Sequence, residues 1–334
     1  MFLFYFSILS RINFTEVASI NVGKRVYHIK ENISDSTQLI ISTSGTLSSV
    51  KDGKREIIIG TDSYDPHRPY AEGTTNNARF NMITGFVQTN GTSTIIAVDR
   101  WNHCLRNIRI LNNEFYSETF AGKCTHSGND DGLMIEEARF NRPHDIIEGY
   151  YQNEYYVTDH YNNAIRLIIL KNSSVVTIRK HGDNEYPTAI ALDRSNKILL
   201  VSVSIGQTSA LIKMDIDGQL LGFVKARAEG ITAPNQFGSV KDILTVTSNR
   251  YLVTDWGRYK VYLLELAMTS TNATIKEVAN VTYPYSIALS ASKDKLYVGE
   301  SGFIKVFNVS GRINVELISP SIDTFPCSIT TSYC

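Results

Sequence analysis

Four acidic residues stand at equivalent places along the chain. Asp99, Asp159, Asp255 and Glu300 each close a short apolar run, IIAVD, YYVTD, YLVTD and LYVGE, and Asn102 and Asn162 follow the first two acids by three residues. Carboxylates and amide oxygens make up the ligand set of calcium, but only when several converge on one point. One acid per unit at the same turn is instead the periodicity of a structural element. Asp and Asn beside a tight turn hydrogen-bond the nearby backbone, and the spacing predicts that role for all six residues. His144 follows Pro143 at the start of another apolar run, where the corresponding positions of other units hold Thr84, Thr188, Lys241 and Tyr285. A zinc centre needs three or four nitrogen, sulfur or oxygen ligands. One histidine does not supply them, and a lysine at the same level opposes a cation. No GxSxG, Walker loop, HExxH or CxxC occurs. The sequence therefore predicts no catalytic residue, metal ligand or cofactor, and reads His144 as a polar channel-lining side chain.

These residues are positioned by a repeat. Ala78-Arg79-Phe80-Asn81 recurs sixty residues on as Ala138-Arg139-Phe140-Asn141, and the segments that follow, Ile95–Ile108 and Tyr155–Ile168, match at Asp99/Asp159, Asn102/Asn162 and Arg106/Arg166. Fainter copies place Asp255 and Glu300 at the same point, a degenerate copy has Ser202 there, and the stretch from Gln38 to Gly60 supplies one more with Ser42. Each unit reads as four short β-rich runs divided by turn chemistry, without sustained helical periodicity. Six four-stranded units are the arithmetic of an all-β, six-bladed β-propeller of antiparallel blades. The first and last blades are each expected to hold four strands of their own and to meet side by side. The segment around Asn13–Ile20 is expected to be extended, either as an extra outer strand on the last blade or lying loose. Trp101, Tyr161 and Trp256, beside the repeat acids, are expected to be half-buried aromatics covering blade edges.

The chain has 334 residues, with 33 Lys+Arg against 33 Asp+Glu and 43% hydrophobic residues. That composition supports a sizeable core and excludes wholesale disorder. Zero net charge argues against a generic nucleic-acid binder, although Arg100, Arg106, Arg109, Arg139, Arg142 and Arg166 gather in the second and third units. No run of about 18 apolar residues exists to span a membrane as a helix. The opening MFLFYFSILS has the length of a signal-peptide apolar region but no basic flank, with Ala18 and Ser19 near a plausible cleavage point. The other readings are a buried strand and a misplaced start that clipped a longer leader. Four cysteines, Cys104, Cys124, Cys327 and Cys334, allow three disulfide connectivities. Sequons at Asn13, Asn32, Asn90, Asn172, Asn272, Asn280 and Asn308 agree with a secretory route.

The pattern A-x-F, then Pro and an apolar strand, then V-[AT]-D-x-x-N-x-x-[IL]-R resembles the NHL repeat. Ala78–Arg106 and Ala138–Arg166 carry it almost completely, the fifth and sixth units about half of it, and the first and fourth very little. The resemblance covers about residues 20–320 and implies a six-bladed propeller. The segment WNHCLR followed by TFAGKCTHSG is similar to secreted invertebrate NHL proteins, which implies a Cys104–Cys124 bridge. Cys327 and Cys334 are then left to pair with each other, or to belong to a longer chain. The domains expected are a leader over 1–19, the propeller over 20–320 and a cysteine-containing tail over 321–334. Some NHL propellers bind RNA through a basic face, a role that the zero net charge opposes. The function expected is a secreted, monomeric, non-catalytic module binding an extracellular protein or glycan, with Arg139, Arg142, His144 and Lys241 as contact surface. The alternative is a propeller enzyme with an axial metal, similar to a peptidyl-hydroxyglycine lyase or a calcium-dependent hydrolase.

Overall fold

The computed structural model describes residues 13–62, 70–89, 94–227 and 237–310. It is a six-bladed β-propeller. Blade one is His28–Asn32, Asp35–Ser42, Thr46–Lys51 and Lys54–Gly60, antiparallel neighbours in chain order. Blade two is Ile83–Gln88, Ile95–Asp99, Cys104–Leu111 and Glu114–Ala121, and blade three is Asp145–Glu148, Glu154–Asp159, Ala164–Ile169 and Ser174–Lys180. Each of these two adds a two-residue outer strand, Gly73–Thr74 and Gly132–Leu133, on the outer edge. Blade four is Glu185–Asp193, Ile198–Ile205, Thr208–Asp215 and Leu220–Phe223. Blade five is Val240–Thr247, Arg250–Asp255, Lys260–Leu266 and Asn272–Asn280, with Lys225–Arg227 lying parallel to its outermost strand.

Ring closure differs from the expectation that blade six has four strands of its own. Its consecutive strands are Ser286–Leu289, Lys295–Gly299 and Ser301–Ser310, and the fourth is the N-terminal strand Asn13–Arg25, antiparallel to Ser301–Ser310. The pairing gives the long last strand a partner for its outer hydrogen-bonding edge, which would otherwise be an open template. Of the two placements expected for Asn13–Ile20, the outer strand is the one found. A boundary at residue 19 falls inside this strand, where Ala18 and Ser19 face Val306 and Lys305. Residues 1–12, Asn90, Cys327 and Cys334 lie outside the described residues.

Apolar residues alternate along the strands, so each sheet has two faces to bury, and six clusters fill the six gaps between blades. Val98, Leu105, Ile146 and Val157 join blades two and three. Val22, Ile29, Ile41 and Ile304 join blade six to blade one and complete the circle. Among the described residues the only helical structure is three single 3-10 turns, Arg100–Asn102, His160–Asn162 and Leu170–Asn172. The first two are the D-x-x-N segments of the repeat, each ended by a residue in the left-handed region, His103 (φ 59°) and Asn163 (φ 51°).

Cys104 and Cys124 are bridged, as the resemblance implies, with Cα atoms 5.0 Å apart. The bond ties the third strand of blade two to the loop after its fourth strand, Glu114–Ala121. Closing a loop of 20 residues should contribute about 3 kcal/mol by restricting the unfolded chain. The double variant Cys104→Ala/Cys124→Ala is expected to lose about that much in urea unfolding while keeping its β circular dichroism spectrum. An unchanged midpoint would show that the bridge constrains nothing.

Candidate functional site: the axial mouth

In blades two and three the repeat residues build one polar unit. Asp159 Oδ1 accepts the Asn141 N–H at 2.8 Å, and its Oδ2 accepts Asn162 Nδ2 at 2.7 Å and Arg166 Nη1 at 2.7 Å. Arg166, fully buried, also donates to the carbonyls of Arg139 and Asp130 and lies 5.1 Å from the Phe140 ring centroid. Blade two repeats the arrangement with Asp99, Asn81, Asn102 and Arg106 over Phe80. Burial pushes both carboxyls upward and the guanidinium opposes it. Asp255 keeps the cap alone, accepting the N–H groups of Gly238 and Ser239, with the partly exposed Arg258 in place of the buried arginine. Glu300 accepts the Thr282 N–H at 2.7 Å. These acids cap backbone, as their spacing predicts. Ser202 lies within the second strand of blade four rather than at a turn.

The capped turns carry the residues around the axis. The N–H groups of Trp101 and Tyr161 donate to Asn81 and Asn141 at 3.0 Å, so each turn is tied to the loop entering its own blade. In three blades the residue two before the axial position sits in the left-handed region: Met82 (φ 69°), Arg142 (φ 50°) and Tyr283 (φ 55°). Non-glycine residues held there cost roughly 1–3 kcal/mol each and mark places where the surroundings fix the geometry.

Four of the five axial positions meet. Thr84, His144, Lys241 and Tyr285 line one cavity of about 160 Å³ with Tyr27, Met82, Arg100 and Trp101. Thr188 of blade four bonds within its own blade to Ser204 and accompanies the group by accepting Thr158 Oγ1 at its carbonyl. The turn aromatics are not blade-edge covers. Trp101 (40% exposed) and Tyr161 (44% exposed) stand at the mouth. The Arg142 guanidinium lies between their rings, 4.1 and 4.4 Å from the centroids. His160 packs on His144, Tyr161 and Tyr186, while Trp256, Tyr283 and Tyr285 form the opposite side, with Lys241 Nζ 5.7 Å from the Trp256 ring. Arg139 takes no part: its guanidinium donates to the carbonyls of Ala138 and Glu136 in its own loop. Sequence reasoning missed Tyr27 and Arg100. Tyr27 precedes the first strand of blade one as Tyr285 precedes that of blade six, and that register was the available signal.

The mouth is cationic without local compensation. Burial lowers Arg100 to about 10 and Lys241 to about 8, and Arg100 adds to the depression of Lys241. Burial, reinforced by Arg100, holds His144 well below the usual histidine range and lowers His160 to about 3, so both are neutral. Among the described residues no carboxylate lines the cavity. Two neutral histidines beside two cations do not fit a divalent metal, and among the described residues no three or more His, Cys, Asp or Glu side chains gather to hold one.

One layer deeper, buried carboxyls link neighbouring blades. Asp145 Oδ2 accepts the Ile190 N–H of blade four at 3.1 Å, and Asp242 Oδ2 accepts the Ile287 N–H of blade six at 2.9 Å. Gly85 of blade two lets Asp145 approach, since a Cβ there would lie 2.8 Å from Asp145 Oδ1. Burial is the main cause that raises Asp145 to about 7 and Asp242 to about 6, and the charge of Asp242 raises Asp145 further.

Exposed sequons are Asn172, Asn272, Asn280 and Asn308, while Asn32 is partly buried and donates to Gln38. Asn13 opens the N-terminal strand. Among the described residues no helix is long and apolar enough to cross a membrane.

No protein-family model matches the chain, and no curated protein matches it. Solved structures share its fold. A gluconolactonase from Xanthomonas campestris, XC5397, superposes with a TM-score of 0.59 at 10% identity, over 87% of this chain and 88% of that one. A chain of a nidogen/laminin complex gives 0.54 at 11% identity over 79% and 85%, and the WD40 repeats of RRP9 give 0.54 at 10% over 90% and 98%. At these identities the likeness shows the fold alone. The class defined is a six-bladed β-propeller, an architecture shared by enzymes and interaction modules.

The buried carboxyls make stability depend on pH. A carboxyl raised in the folded state stabilises most below its unfolded value and loses that contribution as pH rises through the folded value. Between pH 6.5 and 7.5 two sets of groups oppose each other. The depressed histidines His28, His103, His144, His160 and His181 are about half protonated at pH 6.5 when unfolded, so they make stability rise with pH, while Asp145 makes it fall. Asp145→Asn removes the opposing carboxyl, so its stability is expected to rise more steeply than that of the wild type, by roughly 0.5–1 kcal/mol across that unit. Chemical unfolding of both proteins at the two pH values checks it; the same slope in both would contradict it.

Proposed function

We propose that the chain is a non-catalytic, extracellular interaction module, an NHL-type repeat propeller whose axial mouth contacts a protein or glycan. The observation carrying this reading is the girdle of Trp101, Tyr161, Tyr283 and Trp256 interleaved with Arg142, Arg100 and Lys241 on backbone held in place by the repeat. Tyr, Trp and Arg are the residues that dominate binding energy at protein interfaces, especially where rigid. The same flat rings and donors suit the faces and hydroxyls of sugars. The Cys104–Cys124 bridge supports an oxidising compartment, and the exposed sequons agree with it. Arg142, His144 and Lys241 carry the contact; Arg139 serves its own loop.

The second reading is an enzyme working at the same mouth, favoured by Lys241, whose value near 8 suits proton transfer at neutral pH. The gluconolactonase among the structures sharing this fold supports the same reading. The arrangement does not favour the metal-dependent form of that reading, because Arg100 and Lys241 crowd His144 and His160.

Affinity capture from extracellular material, paired with elemental analysis of the purified protein, separates the two. The module reading expects a partner recovered by the wild type and lost at least tenfold in Arg142→Glu and in Trp101→Ala. Capture indifferent to both substitutions, or stoichiometric metal removed together with a catalytic activity, would contradict it.

A further inference from the structure

The cavity floor presents unbalanced positive charge to a small, half-open space. Arg100 makes no side-chain hydrogen bond or ion pair among the described residues, and its buried Nε has no partner. Lys241 has none either; its Nζ meets only the Trp256 ring. Buried polar atoms without partners recur beside them: Arg142 Nε, His144 Nδ1, Trp256 Nε1 and Thr84 Oγ1. Arg106 and Arg166 differ in being ion-paired: their Nη groups meet carboxylates and carbonyls, although the Nε of each, like that of Arg100, has no partner. Leaving a cation buried and unpaired is costly, and here two such cations face one cavity. The side walls are flat and aromatic, Tyr27 and Tyr285 at 5.7 Å from each other and Trp101. The space of about 160 Å³ is close to the roughly 150 Å³ that accommodates benzene in a protein interior.

We propose that this cavity binds one small organic anion, a flat apolar body ending in a carboxylate, with Arg100 and Lys241 receiving the carboxylate and Tyr27, Tyr285 and Trp101 flanking the body. The proposal rests on the reading of the mouth as a binding surface and names the chemistry of its deepest part. The guanidinium fork suits a planar carboxylate, and the aromatic walls suit a ring better than a hydrated tetrahedral ion. The two cations also explain why no protein carboxylate occupies the position: an internal acid would neutralise the charge that selects the ligand.

Both tryptophans of the chain, Trp101 and Trp256, border the mouth, so their fluorescence reports its occupancy. The full chain is titrated with benzoate, with benzamide as its uncharged counterpart and with inorganic phosphate, and stoichiometry is taken from calorimetry. Saturable one-to-one binding of benzoate is expected, with benzamide and phosphate each at least tenfold weaker. Arg100→Gln and Lys241→Gln are each expected to weaken benzoate at least tenfold. Neither should lower the melting temperature appreciably, since among the described residues each cation meets only a tryptophan ring and holds no hydrogen-bonding or ionic partner; the exposed Lys51→Gln should bind as wild type. Absence of saturation by benzoate, equal binding of benzamide, tighter binding of phosphate, or unchanged affinity in Arg100→Gln would overturn the proposal. A protein that ignores benzoate yet captures its partner through Arg142 loses this inference and keeps the module reading. One that binds benzoate while capture ignores Arg142 and Trp101 keeps the site and loses the partner surface.

Discussion

The mouth of this propeller depends on two buried carboxylate–guanidinium pairs. Asp99–Arg106 and Asp159–Arg166 are wholly enclosed, and an enclosed pair is held only when its remaining hydrogen-bonding capacity is met. Here backbone meets most of it, leaving the Nε of each arginine without a partner. Each acid takes the N–H of the residue entering its blade, and each arginine takes carbonyls from the loop arriving from the previous blade. The pair therefore fixes three segments at once: the D-x-x-N turn, the A-R-F-N loop and the chain preceding that loop. Breaking one partner of such a pair typically costs about 3–5 kcal/mol, so these segments do not move independently.

What those segments carry is the functional surface. The turn places Arg100 and Trp101 in blade two and His160 and Tyr161 in blade three; the loop places Met82 and Arg142. Arg142 spans the two blades, its ring partners coming one from each. Positive charge inside the fold is thus divided into two kinds. Arg106 and Arg166 are neutralised and structural. Among the described residues Arg100, Arg142 and Lys241 have no carboxylate partner, and they face the axis, where their mutual repulsion is a standing cost that an anion or a partner's acidic group would relieve.

The fold was legible because the strong repeats occur twice at nearly full length, which sets both strand number and turn position. The axial register of blades two to six was legible for the same reason, since the first strand could be counted from Phe80, Phe140 and Phe237 or from Pro187 and Pro284. Arg139 illustrates what misled. Arg79 and Arg139 occupy the same repeat position and both donate to carbonyls of their own loops, so a residue kept in both units signalled structure. The contact residue is the one that differs, Met82 in one unit and Arg142 in the other. Arg100 was hidden because the residues after the repeat acids, Arg100, His160 and Trp256, share no chemistry; their meeting around one axis arises only when the blades close. Closure by Asn13–Arg25 was equally hidden, because its partner strand begins at Ser301, and an extended N-terminal run fits an outer strand or a free segment alike.

Trp101 supplies the most direct test, since it rides on the turn held by Asp99 and Arg106. Acrylamide quenching of Trp101 would be measured in a Trp256→Phe background, with and without Arg106→Lys, under conditions where both proteins still unfold cooperatively. Lysine keeps the charge but not the fork that reaches Asp99 and the carbonyls of Arg79 and Ala71. The account predicts that quenching of Trp101 rises in Arg106→Lys although the propeller remains folded, because the turn is released at the mouth. Unchanged quenching alongside a lowered melting temperature would contradict it, by showing that the buried pair stabilises the blade without positioning the surface.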